Sequence, residues 1–138
     1  MTKNIKTDEK IKWICKKAYE QFITIGINEF ILNKFISSIG MSKGQFYYYF
    51  KTKEELIYKV MDLKGYEVIE KTIEKVSKEE EPFKKILAFF FIYLNEEDEF
   101  WKSFNKLMQE TLHLYVSERN SLIKKMNSDF YSYLFETF

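Results

Sequence analysis

Residues 32–56 read LNKFISSIGMSKGQFYYYFKTKEEL, and their pattern of apolar, glycine and capping residues predicts two short helices joined by a turn. Its first apolar residues recur at i, i+3, i+4 and i+7, which predicts a short helix over Leu32, Phe35, Ile36 and Ile39. Gly40 can adopt the left-handed conformation that turns a chain sharply. Ser42 and Gln45 then have the spacing of a capping box, which predicts a second short helix. The two helices and their short turn have the proportions of a helix-turn-helix.

The remainder of the chain continues with helical periodicity, and no alternating strand pattern competes with it. A first helix is predicted from Thr7 to a glycine stop at Gly26. Thr52 and Glu55 repeat the capping-box spacing and open a long helix, which breaks between residues 77 and 82. Further apolar stripes at helical spacing begin at Phe83, Asn95 and Leu122. With 4 glycines and 1 proline, the chain has too few turn residues for a β-rich protein, so the predicted fold class is all-α.

The composition restricts the class of protein. The chain has 138 residues, of which 46% are hydrophobic and 31% are charged, so it has enough apolar side chains to bury a core. Its single cysteine, Cys15, cannot form an internal disulfide and fits a reducing compartment. The N-terminal segment lacks the apolar region of a signal peptide, and the longest apolar stretch, residues 86–94, is too short to span a bilayer. These features predict a cytoplasmic protein without a membrane partner.

Charge is divided unevenly along the chain. Residues 1–53 hold ten lysines against four acidic residues, a net charge of +6, whereas residues 54–138 have a net charge of −5. The two parts together give the formal net charge of +1. A basic N-terminal part joined to an acidic remainder indicates that the first part meets a polyanion such as nucleic acid. Lysines that only solvate helix surfaces are the alternative.

The stretch IGMSKGQFYYYFKTKEELI, residues 39–57, resembles the DNA-binding signature of the TetR/AcrR family of bacterial transcriptional regulators. The residues in register with that signature are Gly40, Ser42, Gly44, Phe46, Tyr47, Tyr49, Phe50, Lys53, Glu54 and Leu56. Upstream, IKWICKKAYEQFITIGIN resembles the first helix of the family, so the resemblance covers roughly residues 10–57. Ile31 departs from the family pattern, in which a threonine usually caps the second helix and contacts a phosphate.

The resemblance implies a homodimer that binds a palindromic operator in double-stranded DNA and is released by a small-molecule effector. The residues predicted to contact DNA are Ser42, Lys43, Gly44, Gln45, Tyr47, Tyr48 and Lys53. Lys43 suits guanine and Gln45 suits adenine, although Gln45 is also the capping-box residue. Gly44 either lets the backbone approach DNA or relieves crowding. Lys53 is predicted to contact a phosphate, with a solvated lysine as the alternative.

Helical spacing divides the aromatic residues of the second short helix between two faces. Phe46, Tyr49 and Phe50 are related as i, i+3 and i+4 and are predicted to pack inward against the first helix. Tyr47 and Tyr48 fall on the other side, where their hydroxyl groups can donate to phosphate, as the resemblance implies. Partly buried surface aromatics are the alternative for these two tyrosines.

The predicted division is a DNA-binding domain over residues 1–53, with its helix-turn-helix at about 32–51, and a helical regulatory domain over residues 54–138. The resemblance implies an apolar effector pocket in the second domain; plain core is the alternative for such aromatic stripes. The residues predicted to line the pocket are Phe90, Trp101, Phe104, Met108 and His113. The resemblance implies two further long helices that form the dimer interface. Because an apolar stripe continues to the last residues, the regulatory domain is predicted to be incomplete, with a short variant of the family as the alternative.

Catalytic and cofactor chemistry is not predicted. His113 and Cys15 lack partners at the spacing of metal ligands or of a nucleophile and its base. The sequence shows no paired carboxylates for acid–base catalysis and no glycine-rich phosphate loop, so the chain is predicted to be a regulator without enzymatic activity, metal or cofactor. The rival interpretation is a helical module that binds a protein or a ligand and whose helix-turn-helix-like corner is purely structural. Salt-dependent binding to duplex DNA distinguishes the two interpretations.

Overall fold

The computed structural model describes residues 2–94 and 97–118, together with Ser128 and Ser132. Every regular element in these residues is a helix, which confirms the all-α fold class. The helices are α1 (Thr2–Ile25), α2 (Leu32–Ser38), α3 (Lys43–Tyr49), α4 (Lys53–Ser77), α5 (Pro82–Leu94) and α6 (Glu99–Glu118). The last predicted stripe, from Leu122 onward, lies outside the described residues. Within the described ranges, none of the helices combines the length and the apolar character that a bilayer crossing needs.

Helix α1 is longer than the sequence predicts. It begins at Thr2 rather than at Thr7, so the lysines of the N-terminal segment lie on a helix. Its end agrees with the prediction: Gly26 has a φ of 84°, and its N–H donates to the carbonyl of Phe22 at 2.9 Å. A left-handed residue with such a hydrogen bond is a common way to end a helix, because it satisfies one of the terminal carbonyls.

The two capping signals of the sequence start α3 and α4. Ser42 Oγ accepts from the N–H of Gln45 at 3.2 Å, and Gln45 Oε1 accepts from the N–H of Ser42 at 3.0 Å, which is a complete capping box. At α4, Thr52 Oγ1 accepts from the N–H of Glu55 at 3.1 Å. The carboxylate of Glu55, however, accepts from the N–H of Lys51. The second cap therefore differs from a capping box, because the Glu55 side chain bonds to the N–H of Lys51, one residue before the N-cap residue Thr52.

The helices of the C-terminal part begin at a proline and after an aspartate. Pro82 is the first residue of α5, a position where its missing N–H costs no helical hydrogen bond. The sequence predicts a start of the next helix at Asn95, which lies outside the described residues. The helix α6 begins at Glu99 instead, and the Asp98 carboxylate accepts from the N–H of Phe100 at 2.9 Å. The acidic run thus supplies the cap, at its third residue after Asn95.

One hydrophobic core joins the N-terminal helices to α6. It includes Phe35 and Phe46 of the helix-turn-helix and Leu56 of α4. Helix α6 contributes Trp101, Phe104 and Leu107, which are 3%, 2% and 1% exposed. Because these side chains belong to the same buried cluster, the helix-turn-helix and α6 share one core, and α6 packs directly on α1. The domain boundary at residue 53 therefore does not separate two cores.

Candidate nucleic-acid interface

The turn between α2 and α3 is a Schellman motif. Gly40 has a φ of 70°, and its N–H donates to the carbonyl of Ser37 at 3.1 Å. The N–H of the next residue, Met41, donates to the carbonyl of Ile36 at 3.2 Å. This pair of bonds closes α2 and reverses the chain, and it requires a residue that tolerates a positive φ. The predicted helix-turn-helix corner is therefore present, with Gly40 in the predicted role.

The aromatic run of α3 divides between the core and the surface. Phe46 and Phe50 are buried, Tyr49 is half-buried against the core, and Tyr48 is 66% exposed, as helical spacing predicts. Tyr47 differs from the prediction, because it is half-buried and its ring lies edge-on to that of Phe46 at 5.7 Å. Neighbouring helical residues are only about 100° apart, so the Tyr47 ring reaches the edge of the core. A phosphate contact by its hydroxyl stays a prediction.

The first turn of α3 is at the surface. Its residues, and the cap before them, are exposed: Ser42, Lys43, Gly44 and Gln45. Beside them lies an open groove, which is lined by Gln45 and Tyr48 of α3 and by Lys10 of α1. The Lys10 ammonium lies 4.2 Å from the centre of the Trp13 ring, which holds it in place through a cation–π contact. From the sequence, Lys10 is expected only as part of an N-terminal arm with Lys3 and Lys6 along the DNA backbone; the structure places all three lysines on helix α1.

Gly44 is not required by the packing of the protein itself. A Cβ added there would meet no atom of the described residues within 4 Å, and its φ lies outside the left-handed region. Crowding inside the described part of the protein therefore does not explain this glycine. Its missing side chain leaves the backbone of the first turn of α3 accessible to a close approach from outside.

The capping box uses groups that were also predicted to contact DNA. Ser42 Oγ and Gln45 Oε1 each accept a backbone N–H, so both oxygens already have a partner within the protein. A bidentate contact of Gln45 with adenine would require Oε1 to accept from the base as well. The cap leaves the Gln45 amide nitrogen as the group that can donate to a base without disturbing the cap.

Lys53 has partners that the sequence does not predict. Its Nζ donates to the carbonyls of Ile27 at 2.9 Å and of Phe30 at 2.8 Å, in the connector between α1 and α2. The ammonium also lies 5.7 Å from the centre of the Phe30 ring. Neither carbonyl belongs to a helix. The Ile27 carbonyl also accepts from the N–H of Phe30 at 3.3 Å, and the first residue of α4 supplies a charged donor to both carbonyls. The side chain is thus turned into the domain, and its phosphate contact stays a prediction that no contact in the structure supports.

The five residues predicted to line an effector pocket differ in burial and do not all lie on one face of a helix. Trp101 and Phe104 are buried in the core, and Met108 is half-buried against it. His113 is exposed, and Phe90 is 55% exposed. Phe104 and His113 are nine residues apart, which places them on opposite sides of a helix with about 3.6 residues per turn. For Trp101 and Phe104 the burial favours the plain-core interpretation, and the pocket stays a prediction.

Phe90 belongs to an exposed apolar stripe on α5. It shares that stripe with Phe83, Ile86 and Leu87, which are 68%, 54% and 52% exposed and are related to it at helical spacing. Helix α5 packs on α4 and α6. Among the described residues of the C-terminal part, these exposed apolar side chains therefore form a stripe on α5, while Trp101 and Phe104 of α6 are buried.

The remaining chemistry-bearing side chains form no site in the described residues. No group of three or more His, Cys, Asp or Glu residues there could hold a metal ion. Burial raises the pKa of the Cys15 thiol to about 12, so this cysteine is almost entirely the unreactive thiol at neutral pH. The exposed first turn of α3, with Lys43 and Gln45, is therefore the candidate binding surface.

Residues 14–60 match the family model described as bacterial regulatory proteins, tetR family. The matched range runs from α1 through the helix-turn-helix into α4, and it contains the capping box, the Schellman turn and the exposed turn of α3. A search of the curated proteins and a search of the solved structures each found no match.

Proposed function

We propose that this chain, whose residues 14–60 match the tetR-family model, is a DNA-binding transcriptional regulator and, more specifically, a repressor that a small-molecule effector releases from a palindromic operator. The observation that supports its DNA contact is the exposed first turn of α3, with Lys43 and Gln45 flanking a glycine whose side-chain space is empty. Regulators of this family are typically not enzymes. The proposed location is the bacterial cytoplasm, where the chromosome lies.

In the proposed complex, α3 enters the major groove with its N-terminal end toward the bases. Lys43 donates to guanine O6 and N7, and the Gln45 amide nitrogen donates to a base acceptor while its oxygen keeps the cap. Tyr48, which is 66% exposed, offers its hydroxyl to a phosphate. Lys10, which lines the groove beside α3, is proposed to contact the DNA backbone.

A homodimer is proposed because each copy supplies one recognition helix. Two helices related by a two-fold axis would bind half-sites separated by about one DNA turn, roughly 34 Å. The effector is proposed to be a small apolar or cationic molecule that binds the C-terminal helices. The exposed apolar stripe of α5 supports an apolar contact with it.

Two glycines at which an added Cβ would meet no atom of the described part of the chain within 4 Å provide a matched test of the proposed DNA contact. Gly44 in α3 and Gly65 in α4 both have open space at the Cβ position. Alanine is the better helix former, so Gly65→Ala should raise the free energy of unfolding by about 0.5–1 kcal/mol and leave DNA affinity unchanged. Gly44→Ala should keep or raise stability but weaken binding at least about tenfold, because its Cβ would meet DNA at close approach. The measurement is the affinity for a duplex selected from a random pool.

The selection itself tests the operator prediction, since the enriched sequences should contain two inverted half-sites. Equal affinity of wild type, Gly44→Ala and Gly65→Ala for the selected duplex would show that α3 does not approach DNA through its first turn. Enrichment of no sequence at all would favour the rival interpretation of a helical module with a structural corner.

A further inference from the structure

The connector between α1 and α2, residues 26–31, is held by a side chain from α6. The N–H of Ile27 donates to Glu110 Oε2 at 2.8 Å, across 83 residues of sequence. The same carboxylate lies against Gly26: a Cβ at that glycine would be 3.3 Å from Glu110 Oε1. A backbone N–H that donates to a carboxylate forms a charge-assisted bond, which is stronger than a bond between neutral groups. Helix α6 is therefore hydrogen-bonded to the chain at the point where α1 ends.

The connector depends on such contacts because its own helix cap is missing. Ile31 is the N-cap residue of α2 and makes no side-chain cap hydrogen bond. The connector is fixed instead from two sides: Glu110 accepts the Ile27 N–H, and Lys53 donates to the carbonyls of Ile27 and Phe30. Lys53 is the first residue of α4, whereas Glu110 lies on α6, far from the connector in the sequence.

A chain of packed rings joins the connector to the recognition helix. Phe30, which is 2% exposed, has its ring centre 5.1 Å from that of Phe35 in α2. Phe35 is in turn 6.2 Å from Phe46 in α3. Because these rings are buried and closely packed, a displacement of the connector moves α2 and α3 with it.

We infer that Glu110 is a positioning residue for DNA binding: its bond to the Ile27 N–H sets the connector, and through it the orientation of α3. The inference rests on the proposed function and adds to it the contact between α6 and the connector that orients α3. Glu110 contacts no base or phosphate in this scheme.

Two conservative substitutions separate the reach of Glu110 from its charge. Glu110→Asp keeps the negative charge but is one methylene shorter, so it loses the contact with Ile27; it should weaken binding to the selected duplex about tenfold. Glu110→Gln loses the charge but keeps an oxygen at the same reach, so its affinity should stay within about threefold of wild type. Glu70→Gln removes the same charge from an exposed position on α4 and reports the long-range electrostatic effect alone.

Whether each substitution weakens or tightens DNA binding distinguishes a positioning role of Glu110 from simple electrostatic repulsion of DNA. If Glu110 acted only by repelling DNA, Glu110→Gln and Glu70→Gln would both tighten binding and Glu110→Asp would match wild type. That result would overturn the inference. All proteins are compared at a temperature where thermal unfolding curves show them fully folded, so a loss of stability is not counted as a loss of affinity.

Two further measurements complete the test. The slope of log affinity against log salt should be unchanged in Glu110→Asp, because no phosphate contact is lost. Hydrogen exchange should show reduced protection of the Ile27 amide in Glu110→Asp and normal protection in Glu110→Gln. If wild type itself fails to bind DNA, the proposed function fails and takes the inference with it. If wild type binds and Glu110→Asp binds equally well, only the inference fails.

Discussion

Phe46→Ala is expected to lower the free energy of unfolding by about 3–5 kcal/mol, the largest effect of any single substitution in α3. The side chain is 0% exposed and lies among the rings of Phe35, Tyr47 and Phe50. Truncation removes the transfer free energy of a whole phenyl ring and leaves a cavity, since a seven-residue helix between two turns can collapse only slightly. Chemical denaturation of the full chain measures the difference.

Tyr48→Ala is the control for this prediction. It removes an aromatic ring of similar size two residues away, but the side chain is 66% exposed, so stability should change by less than about 0.5 kcal/mol. DNA affinity should show the opposite order, because Tyr48 is proposed to contact a phosphate. Equal stability losses for Phe46→Ala and Tyr48→Ala would contradict the division of the aromatic run between core and surface.

Lys53→Ala is expected to lower the free energy of unfolding by about 2–3 kcal/mol. The substitution leaves the carbonyls of Ile27 and Phe30 without the ammonium that donates to both, in a part-buried place. A charged donor stabilises more than a neutral one. The Phe30 carbonyl loses the donor that Lys53 supplies, at the cost of its lost hydration, while the Ile27 carbonyl keeps the N–H of Phe30. Thermal or chemical unfolding of the full chain provides the measurement.

Lys34→Ala is the matched variant, since it removes a lysine from an exposed position on the neighbouring helix α2. Its stability should stay within about 0.5 kcal/mol of wild type. If Lys53→Ala is as stable as Lys34→Ala, and only DNA affinity falls, then Lys53 contacts a phosphate as the sequence first suggested. The bonds to the connector would then contribute little.

The features that the sequence predicts well depend on neighbours in the chain. Gly26 and Gly40 stop helices because each has a positive φ, and Ser42 and Thr52 accept from N–H groups three residues ahead. Such signals depend on backbone geometry within one turn, so they can be read before the tertiary fold is known. The start of α1 was missed because Thr7 resembles a cap but stands within a longer helix.

The features that the sequence does not predict depend on tertiary contacts. Lys53 is turned toward carbonyls 23 and 26 residues away, and Glu110 accepts from an N–H 83 residues away. No periodicity or motif contains such a separation. The burial of Trp101 was equally undecided, because an apolar stripe on a helix is the same pattern whether it faces a core or a ligand.

The most direct test of the central claim is the salt dependence of binding between the full chain and its selected duplex. If the exposed turn of α3 and its neighbouring lysines lie against the DNA backbone, log affinity should fall linearly with log salt between about 50 and 200 mM. The expected slope is about −4 or steeper, which corresponds to the neutralisation of about four or more phosphates. Binding that is weak at low salt and shows a flat salt dependence would contradict the assignment of a DNA-binding regulator.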